Sequence, residues 1–230
     1  MINKKKKNNI LVVAAHPDDE VLGCGGTLAK HISLGDYVKI VFLSDGETSR
    51  NKTKKNSINL RKKNAINSLK ILGVKKQNII FNTLPDNALD SVPLIKVVKI
   101  LENIKISFKP NIIYTHFGND LNVDHKAAYN ATLVAFRPQP NENVKKIFCF
   151  EILSSTDWSG SNSLSFSPNY FVNIEKFYNK KIRAIKAYKT EIKKEPHTRS
   201  LKNIENLCGY RGMTCGIKYA EAFVIERMIN

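Results

Sequence analysis

Apolar and polar residues alternate along the chain in blocks that predict alternating strands and helices. The first apolar block, Ile10 to Ala15, is a continuous apolar run that contains β-branched residues, which is typical of a strand buried on both faces of a parallel sheet. The glycines that follow predict a tight turn, and a short helix is expected from Gly26 to Leu34 with its end at Gly35. The pattern therefore begins with a strand, a loop and a helix.

The same alternation continues to about residue 151. Ser57 is expected to cap a helix that ends at Gly73, and another helix is expected from Ser91 to Ser107. The strands predicted in this part are "YVKIVFLSDGE", "NIIF", "NIIYTH" and "KIFCFE", with a helix at "DHKAAYNATLVAF". Strands and helices of these lengths indicate right-handed crossovers and an α/β fold with a parallel, Rossmann-like sheet.

The pattern is less regular in the C-terminal third. A polar loop, "SSTDWSGSNSLSFSP", precedes a predicted strand "YFVNI", a helix from Glu175 to Thr190 and a closing strand "YAEAFVIER". Neither a repeat nor a long linker divides the sequence, so residues 1–230 are expected to form one domain. The C-terminal third is expected to cover the sheet and to form one wall of a pocket.

The chain is strongly basic, with a formal net charge of +17, and this raises the question of nucleic-acid binding. The lysines occur in short scattered runs without an aromatic-interleaved RNA-binding signature or a zinc finger. We therefore expect no nucleic-acid partner, although a basic binding module remains an alternative. The charge is compatible with an anionic small substrate such as a sugar nucleotide.

Cysteine spacing and hydropathy indicate in which cellular compartment the protein is expected. The four cysteines form no C-x-x-C pair, so they are expected to be reduced packing residues. The apolar run after the N-terminal lysines is too short for a secretory signal and leads directly into His16 and Pro17, and no stretch of eighteen apolar residues follows. A soluble cytoplasmic protein without a membrane span is expected.

Polar clusters follow four of the predicted strands. In open parallel sheets, ligands bind beyond the carboxyl ends of the strands, because loops converge there. We therefore expect the clusters to meet in space. They are His16 to Glu20, Asp45 with Glu47, Asp86, and the stretch "THFGNDLNVDH" at residues 115–125.

Two imidazoles and one carboxylate from these clusters could hold a metal ion. His16, Asp19 and His125 make a three-ligand set that suits zinc and leaves a fourth position for water. Asp18, in the same tight turn as Asp19, is then free to take a proton from that water. The same residue types could also serve a two-metal phosphoesterase, which would bind two ions instead of one.

Five ordered blocks resemble the PIG-L/LmbE-like zinc-dependent de-N-acetylases over nearly the whole chain. They are "AHPDDEVLGCGGTLAKH", "SDGE", "LPD", "NDLNVDH" and "RSLKNIENLCGYRGMTCGIKYAEAF". The resemblance implies a Rossmann-like three-layer sandwich with a mostly parallel sheet of lactate-dehydrogenase-like topology. It also implies one Zn²⁺ per chain and removal of an N-acetyl group from an amino sugar of the N-acetylglucosamine type, free, nucleotide-linked or in a glycoconjugate, with acetate released. Another amide or N-acyl hydrolase activity of the same family is the alternative, and a homo-oligomer is compatible with the resemblance.

The resemblance assigns roles to individual residues. It implies that His16, Asp19 and His125 are the metal ligands, that Asp18 is the general base and that Asp124 orients the imidazole of His125.

Three further positions are expected to contact the substrate. Arg61 and Asp86 match positions that contact the sugar in relatives, and Glu47 is the third candidate, unless it only caps the turn after its strand together with Asp45. The segments Thr48 to Asn56 and Ser154 to Pro168 are expected to form the rim of the pocket.

One position departs from the pattern. Some relatives carry a histidine three residues before the last metal ligand, and this chain has Asn122 there. Asparagine can donate a hydrogen bond to an oxyanion but cannot deliver a proton. His116, or Asp18 after it has accepted a proton, is left as the candidate general acid.

Overall fold

The computed structural model describes residues 7–50, 55–161 and 163–230 as seven strands and six α-helices. The strands are β1 (Asn9–Ala14), β2 (Tyr37–Ser44), β3 (Ile79–Leu84), β4 (Ile112–His116), β5 (Lys146–Phe150), β6 (Tyr170–Asn173) and β7 (Ala220–Met228). The helices are α1 (Asp19–Ser33), α2 (Lys55–Leu72), α3 (Leu94–Phe108), α4 (Val123–Ala135), α5 (Tyr178–Ile185) and α6 (Leu201–Met213). None of these described helices combines the length and the apolar composition that crossing a membrane would require.

The strands form one mostly parallel sheet in the order β3-β2-β1-β4-β5-β7-β6. The five strands from β3 to β5 are parallel, whereas β7 runs antiparallel to both β5 and β6. Helices cover both faces, so the prediction of a three-layer, Rossmann-like α/β fold is confirmed. The predicted closing strand, β7, is the last strand of the sequence and lies between β5 and β6 in the sheet.

Strand β1 is apolar throughout because both of its faces are buried. Ile10, Val12 and Ala14 point into the core under α1, α2 and α5, while Leu11 and Val13 point into the core under α3 and α4. Both flanks of the strand are also paired, to β2 and to β4. A strand enclosed in this way has no solvent-facing positions, and this produces a continuous apolar run instead of an alternating one.

The strand order of the sheet reverses between β1 and β4, which is the topological switch point. From β1 it proceeds through β2 to β3, and then it crosses to β4 and proceeds to β5 on the other side. The loops that follow β1 and β4 therefore diverge, and they leave a crevice at the carboxyl ends of these two strands. This crevice contains the polar clusters that the sequence singled out.

The first helix begins earlier than the sequence pattern predicts. It starts at Asp19, not at Gly26, so Gly23, Gly25 and Gly26 lie within α1 and do not form a turn. A Cβ atom on Gly23 would stand 2.5 Å from the ring of Phe150, and one on Gly26 would stand 2.9 Å from Ile174. These glycines let the helix lie directly on the sheet, which sequence propensity alone does not reveal.

Helix α1 is interrupted at Cys24, and a buried ion pair holds the two halves together. The backbone N–H groups of Gly26 and Thr27 donate to the two carboxylate oxygens of Glu221, at 2.8 and 2.6 Å. The ammonium group of Lys181 donates to Glu221 at 2.6 Å and to the carbonyl oxygen of Leu22 at 2.7 Å. At the kink, the backbone N–H groups therefore bind a carboxylate and a backbone carbonyl oxygen binds an ammonium group, in place of their helical partners.

The other helix boundaries also differ from the predicted ones. Helix α2 begins at Lys55, before Ser57, and α3 begins at Leu94 after a 3₁₀ turn instead of at Ser91. Helix α5 covers only Tyr178–Ile185 of the predicted span Glu175 to Thr190. Helix α6 was not predicted, because asparagines and two glycines lower the helix propensity of its sequence. Packing of its buried face stabilises the helix despite this composition.

Replacing Gly23 by Ala is expected to lower the free energy of unfolding by about 1–3 kcal/mol, because the added methyl group would displace the buried Phe150 ring. Urea denaturation measures the change. Gly209→Ala in α6 is the matched control: its Cβ would meet no described atom within 4 Å, so the free energy of unfolding should rise by roughly 0.5–1 kcal/mol. Equal effects of the two substitutions would contradict the close packing of α1 on the sheet.

Candidate active site

Side chains from the ends of four parallel strands converge on the crevice between β1 and β4. His16 follows β1, Asp86 follows β3, and His125 opens the helix that follows β4. After β2, Asp45 accepts hydrogen bonds from the backbone N–H groups of Glu47 and Thr48 and so caps the turn. The convergence that the sequence predicts is therefore present.

His16, Asp19 and His125 bring one potential ligand atom each into a group no wider than 4.8 Å. Oδ2 of Asp19 lies 3.3 Å from Nδ1 of His16 and 3.5 Å from Nε2 of His125. All three side chains are buried. The other carboxylate oxygen, Oδ1 of Asp19, is buried without a hydrogen-bond partner among the described residues.

The remaining nitrogen of each histidine is held by a different carboxylate. Nε2 of His16 lies 2.9 Å from Oδ2 of Asp124, and Nδ1 of His125 lies 3.0 Å from Oδ1 of Asp120. The expectation that Asp124 orients His125 is therefore wrong: Asp124 contacts His16, and Asp120 contacts His125. Such outer carboxylates fix the ring orientation and the tautomer of a metal-binding histidine.

Both outer carboxylates are themselves held in place. Asp124 accepts the backbone N–H groups of Asn87 and Leu89 at 2.7 and 2.8 Å. Asp120 accepts hydrogen bonds from the hydroxyl groups of Ser155 and Thr156, the latter at 2.5 Å. Asp120 lies in the "NDLNVDH" block but was not predicted as a site residue, because the block contains two acids and spacing alone does not show which one faces His125.

A second group, His16 with Asp86 and Asp124, lies beside the first and shares His16. Its carboxylates are already satisfied by hydrogen bonds: Asp86 accepts from the Ser49 hydroxyl at 2.6 Å, and both oxygens of Asp124 accept backbone N–H groups. The unpartnered oxygen of Asp19 belongs to the first group. The first group is therefore the one that fits a cation.

The electrostatics of the crevice favour positive charge on the two rings. Burial alone would lower the pKa of His16, but hydrogen bonds to Asp124, Asp19 and Asp86 raise that pKa well above its ordinary value. The pKa of His125 is likewise raised, because Asp19 and Asp120 outweigh the effect of burial. A site with this surplus of carboxylates is suited to a cation.

Asp18 has a strained backbone and a carboxylate held between two arginines. Its φ of 124° lies in the region that L-residues rarely adopt, and such strain concentrates at functional sites. Oδ1 lies 3.2 Å from Arg61 and Oδ2 accepts from Arg199 at 3.0 Å. Burial raises the pKa of Asp18 above its ordinary value, although both arginines act in the opposite direction.

Arg61 is occupied by the protein itself. The side chain is buried, its Nε donates to the carbonyl oxygen of Pro17 at 2.7 Å, and its terminal nitrogens contact Asp18, Glu47 and Glu191. Both Arg61 and Glu47, predicted to bind substrate, therefore lie within an ion-pair network beside Asp18. Arg199 and Glu191, which were not predicted as site residues, enter this network from the C-terminal third.

His116 lies beneath the site. Its ring is fully buried and stacks on the ring of His125, with the centroids 3.9 Å apart. Nε2 accepts the backbone N–H of Ala15 at 2.9 Å, and Nδ1 has no partner in the described part of the chain. Burial and the nearby His125 hold the pKa of His116 well below its ordinary value.

Asn122 caps helix α4 and borders the crevice. Its Oδ1 accepts the backbone N–H of Asp124 at 2.8 Å, and its Nδ2 donates to Oδ1 of Asn87 at 2.9 Å. An amide nitrogen carries two hydrogens, so one donor remains after the bond to Asn87.

A polar cavity of about 110 Å³ opens beside these groups. It is lined by His16, Asp18, Gly46, Arg50, Arg61, Asp86, Asn87, Asn122, Glu191 and Arg199. Of the first predicted rim segment, Thr48 to Asn56, residues 51–54 lie outside the described residues, and Arg50 just before them lines the cavity. The second segment, Ser154 to Pro168, contacts the site through Ser155 and Thr156, while its Asn162 is outside the described residues.

Known proteins share both the sequence and the fold of this chain. The family described as PIG-L, GlcNAc-PI de-N-acetylase, matches residues 11–136. The uncharacterized deacetylase YaiS of Escherichia coli (strain K12) is 32% identical over 191 residues, covering 80% of this chain and 92% of that protein. The diacetylchitobiose deacetylase of Thermococcus kodakarensis is 25% identical over 224 residues, covering 92% of this chain and 80% of that protein.

A solved structure extends the similarity to the whole fold. The conserved protein TT1542 of Thermus thermophilus is 27% identical to this chain with a TM-score of 0.75, and the match covers 97% of this chain and 96% of that one. The family match spans more than half of the 230 residues and includes His16, Asp19 and His125. The chain therefore belongs to the PIG-L family of deacetylases.

Proposed function

We propose that this protein is a zinc-dependent de-N-acetylase that releases acetate from an N-acetylated amino sugar. The observation that carries the proposal is the meeting of His16, Asp19 and His125 beside Asp18 in the crevice of the sheet. A related protein is described as a diacetylchitobiose deacetylase, which supports a substrate built from N-acetylglucosamine.

The proposed metal group comprises two imidazole nitrogens and a carboxylate oxygen, a donor set that suits zinc. The unpartnered Oδ1 of Asp19 supports its presence, because a buried carboxylate oxygen without a partner is costly unless a cation compensates it. When bound, zinc would polarise the acetamide carbonyl and lower the pKa of a water molecule toward neutrality. Because the neighbouring group is satisfied by hydrogen bonds, we expect one ion per chain, which disfavours the two-metal phosphoesterase.

We assign the proton transfers to Asp18. Its carboxylate lines the cavity next to the proposed ligands, and Arg61 and Arg199 fix its orientation. Asp18 accepts the proton of the attacking water and, once protonated, can deliver that proton to the nitrogen of the departing amine. Its raised pKa favours acceptance of the proton from the water molecule.

His116 is not assigned the acid role, since its Nε2 faces a backbone N–H and its lowered pKa keeps the ring neutral. We assign Asn122 a supporting role: its remaining amide hydrogen could stabilise the oxyanion that forms on the carbonyl oxygen. Asp86, at the cavity wall, is the proposed acceptor for a sugar hydroxyl group.

The direct test is acetate release from N-acetylglucosamine, N,N′-diacetylchitobiose and a nucleotide-linked N-acetylglucosamine, with and without a chelator. We expect acetate from at least one of them, loss of activity after chelation and recovery when Zn²⁺ is added. Hydrolysis of phosphate esters by a protein that contains two ions per chain would instead support the phosphoesterase alternative.

Replacing Asp120 by Asn is expected to weaken metal binding about 10–100-fold, because His125 would lose the carboxylate that holds its Nδ1–H. Competition with a chromophoric chelator measures this affinity independently of turnover. Asp157→Asn is the control: this acid lies in the loop after β5, next to the Ser155 and Thr156 that hold Asp120, accepts the backbone N–H of Ser155, and should leave the affinity unchanged when replaced. Unchanged affinity in Asp120→Asn would show that Asp120 does not support the ligand.

A further inference from the structure

Glu20 is a fully buried acid that the proposed mechanism does not use. Both of its carboxylate oxygens are occupied: Oε2 accepts the backbone N–H of Asp18 at 2.9 Å, and Oε1 accepts the hydroxyl group of Tyr188 at 2.7 Å. Glu20 is not among the residues that line the cavity. Its connection to the proposed base therefore runs through the main chain of Asp18.

The contact with Glu20 is made at the strained residue of the site. Asp18 has a φ of 124° and a ψ of −25°, a combination that residues with a Cβ atom rarely adopt. Such a conformation persists only where the surrounding contacts fix the backbone. The carbonyl oxygen of Asp18 accepts the N–H groups of Val21 and Leu22 at 3.2 and 3.0 Å, so the Glu20 contact completes the fixing of both polar main-chain groups.

Two features distinguish Glu20 from an ordinary helix cap. A glutamate near the start of a helix often accepts an N–H group there, as in a capping box, but a glutamate is rarely buried completely unless it is partnered. Its partner Tyr188 is itself buried and lies 168 residues further along the chain, in the turn after α5. A cap requires only the contact with the N–H group, whereas the contact with Tyr188 fixes the Glu20 side chain itself.

Tyr188 connects the two sets of contacts that hold Asp18. Its hydroxyl group binds Glu20, and the guanidinium carbon of Arg61 lies over its ring, 5.9 Å from the centroid. Arg61 in turn contacts the carboxylate of Asp18 at 3.2 Å. The same turn carries Glu191, whose N–H donates to the carbonyl oxygen of Tyr188 at 2.9 Å and whose carboxylate also contacts Arg61. One turn of the C-terminal third thus supports both the backbone and the side chain of the proposed base.

We propose that Glu20, fixed by Tyr188, is a positioning residue that holds Asp18 in its strained conformation and so directs the Asp18 carboxylate into the cavity. The inference rests on the proposed function for the role of Asp18 and extends it to a residue outside the cavity. Without the Glu20 contact, the Asp18 backbone is free to relax toward an ordinary φ, and the carboxylate moves away from the attacking water. The chemical step then slows, while metal and substrate are still bound.

Steady-state kinetics of acetate release, together with the metal content of each purified variant, test the positioning role. For Glu20→Ala we expect kcat to fall about 10–100-fold, with KM and the one ion per chain unchanged, because a small misplacement of a catalytic group slows the chemical step. Glu20→Gln should restore most of kcat, since its amide oxygen can accept the N–H of Asp18 and its amide nitrogen can donate to the oxygen of Tyr188. Equal losses of kcat in Glu20→Gln and Glu20→Ala would overturn the positioning role.

Two further variants separate positioning from a general loss of packing. Leu28→Ala is the matched control, because it also removes a fully buried side chain from α1 and should leave kcat of the folded protein unchanged. Tyr188→Phe removes only the hydroxyl group that fixes Glu20, so kcat should fall by a smaller factor than in Glu20→Ala. This variant also keeps the test available if Glu20→Ala does not fold. A loss of kcat in Leu28→Ala as large as in Glu20→Ala, or an unchanged kcat in Tyr188→Phe, would contradict the proposal.

The conformation of Asp18 gives a readout that needs no turnover. In crystals of the full-length Glu20→Ala protein, the φ of Asp18 should leave the positive region, and its carboxylate should lose a contact with Arg61 or Arg199. An Asp18 that keeps its φ near 124°, beside an unmodified protein that releases acetate, overturns the positioning role and leaves the proposed function standing. A relaxed Asp18, beside an unmodified protein that releases no acetate, supports the positioning role and overturns the proposed activity.

Discussion

Replacing Asp18 by Asn is expected to lower kcat for acetate release by about 10²–10⁴-fold, the contribution of a positioned general acid–base group. The amide has nearly the same shape as the carboxylate but cannot accept the proton of the attacking water. The ligands His16, Asp19 and His125 are unchanged, so the bound metal should remain. Initial rates of acetate release, measured together with the metal content of the purified protein, separate these two effects.

The Asp18→Asn variant needs a control, because it also removes the negative charge that compensates Arg61 and Arg199. Glu191→Gln removes another acid from the same arginine network without removing the proposed base. We expect this variant to lose far less activity than Asp18→Asn. If Asp18→Asn stayed folded, kept its metal and kept its rate, Asp18 would not be the base.

Replacing His125 by Ala is expected to remove both the bound ion and all measurable acetate release, because only two of the three proposed ligands would remain. The two candidate metal groups share His16, so variants of their unshared members distinguish them. Asp86→Asn should keep one ion per chain, since Asp86 belongs only to the group whose carboxylates are satisfied by hydrogen bonds. Elemental analysis of both purified variants measures the outcome.

The opposite pattern would contradict the assignment of the site. If Asp86→Asn lost the metal and His125→Ala retained it, the ion would belong with His16, Asp86 and Asp124. If the unmodified protein held two ions per chain and each variant lost one, a binuclear centre would replace the mononuclear one.

The position of the site at the carboxyl edge of the sheet could be predicted from the sequence, because it follows from local sequence patterns. A continuous apolar run identifies the central strand β1, and polar residues after the strands of a parallel sheet must meet at its carboxyl edge. His16, Asp19 and His125 therefore came together as expected.

The details that the sequence analysis missed depend on contacts between distant segments. Helix α1 includes glycines that normally disfavour helices, because Phe150 and Ile174 leave no room for side chains. Arg199 lies 181 residues after Asp18, and no local pattern links the two. The choice between Asp120 and Asp124 as the partner of His125 depends on how the loop after β4 turns before α4 begins.

The anomalous diffraction of zinc in crystals of the full-length protein tests the central claim most directly. We predict one peak per chain, about 2.0–2.2 Å from a nitrogen of His16, an oxygen of Asp19 and a nitrogen of His125. A protein that releases acetate but shows no peak at these three side chains, or shows its peak between Asp86 and Asp124, would contradict the account.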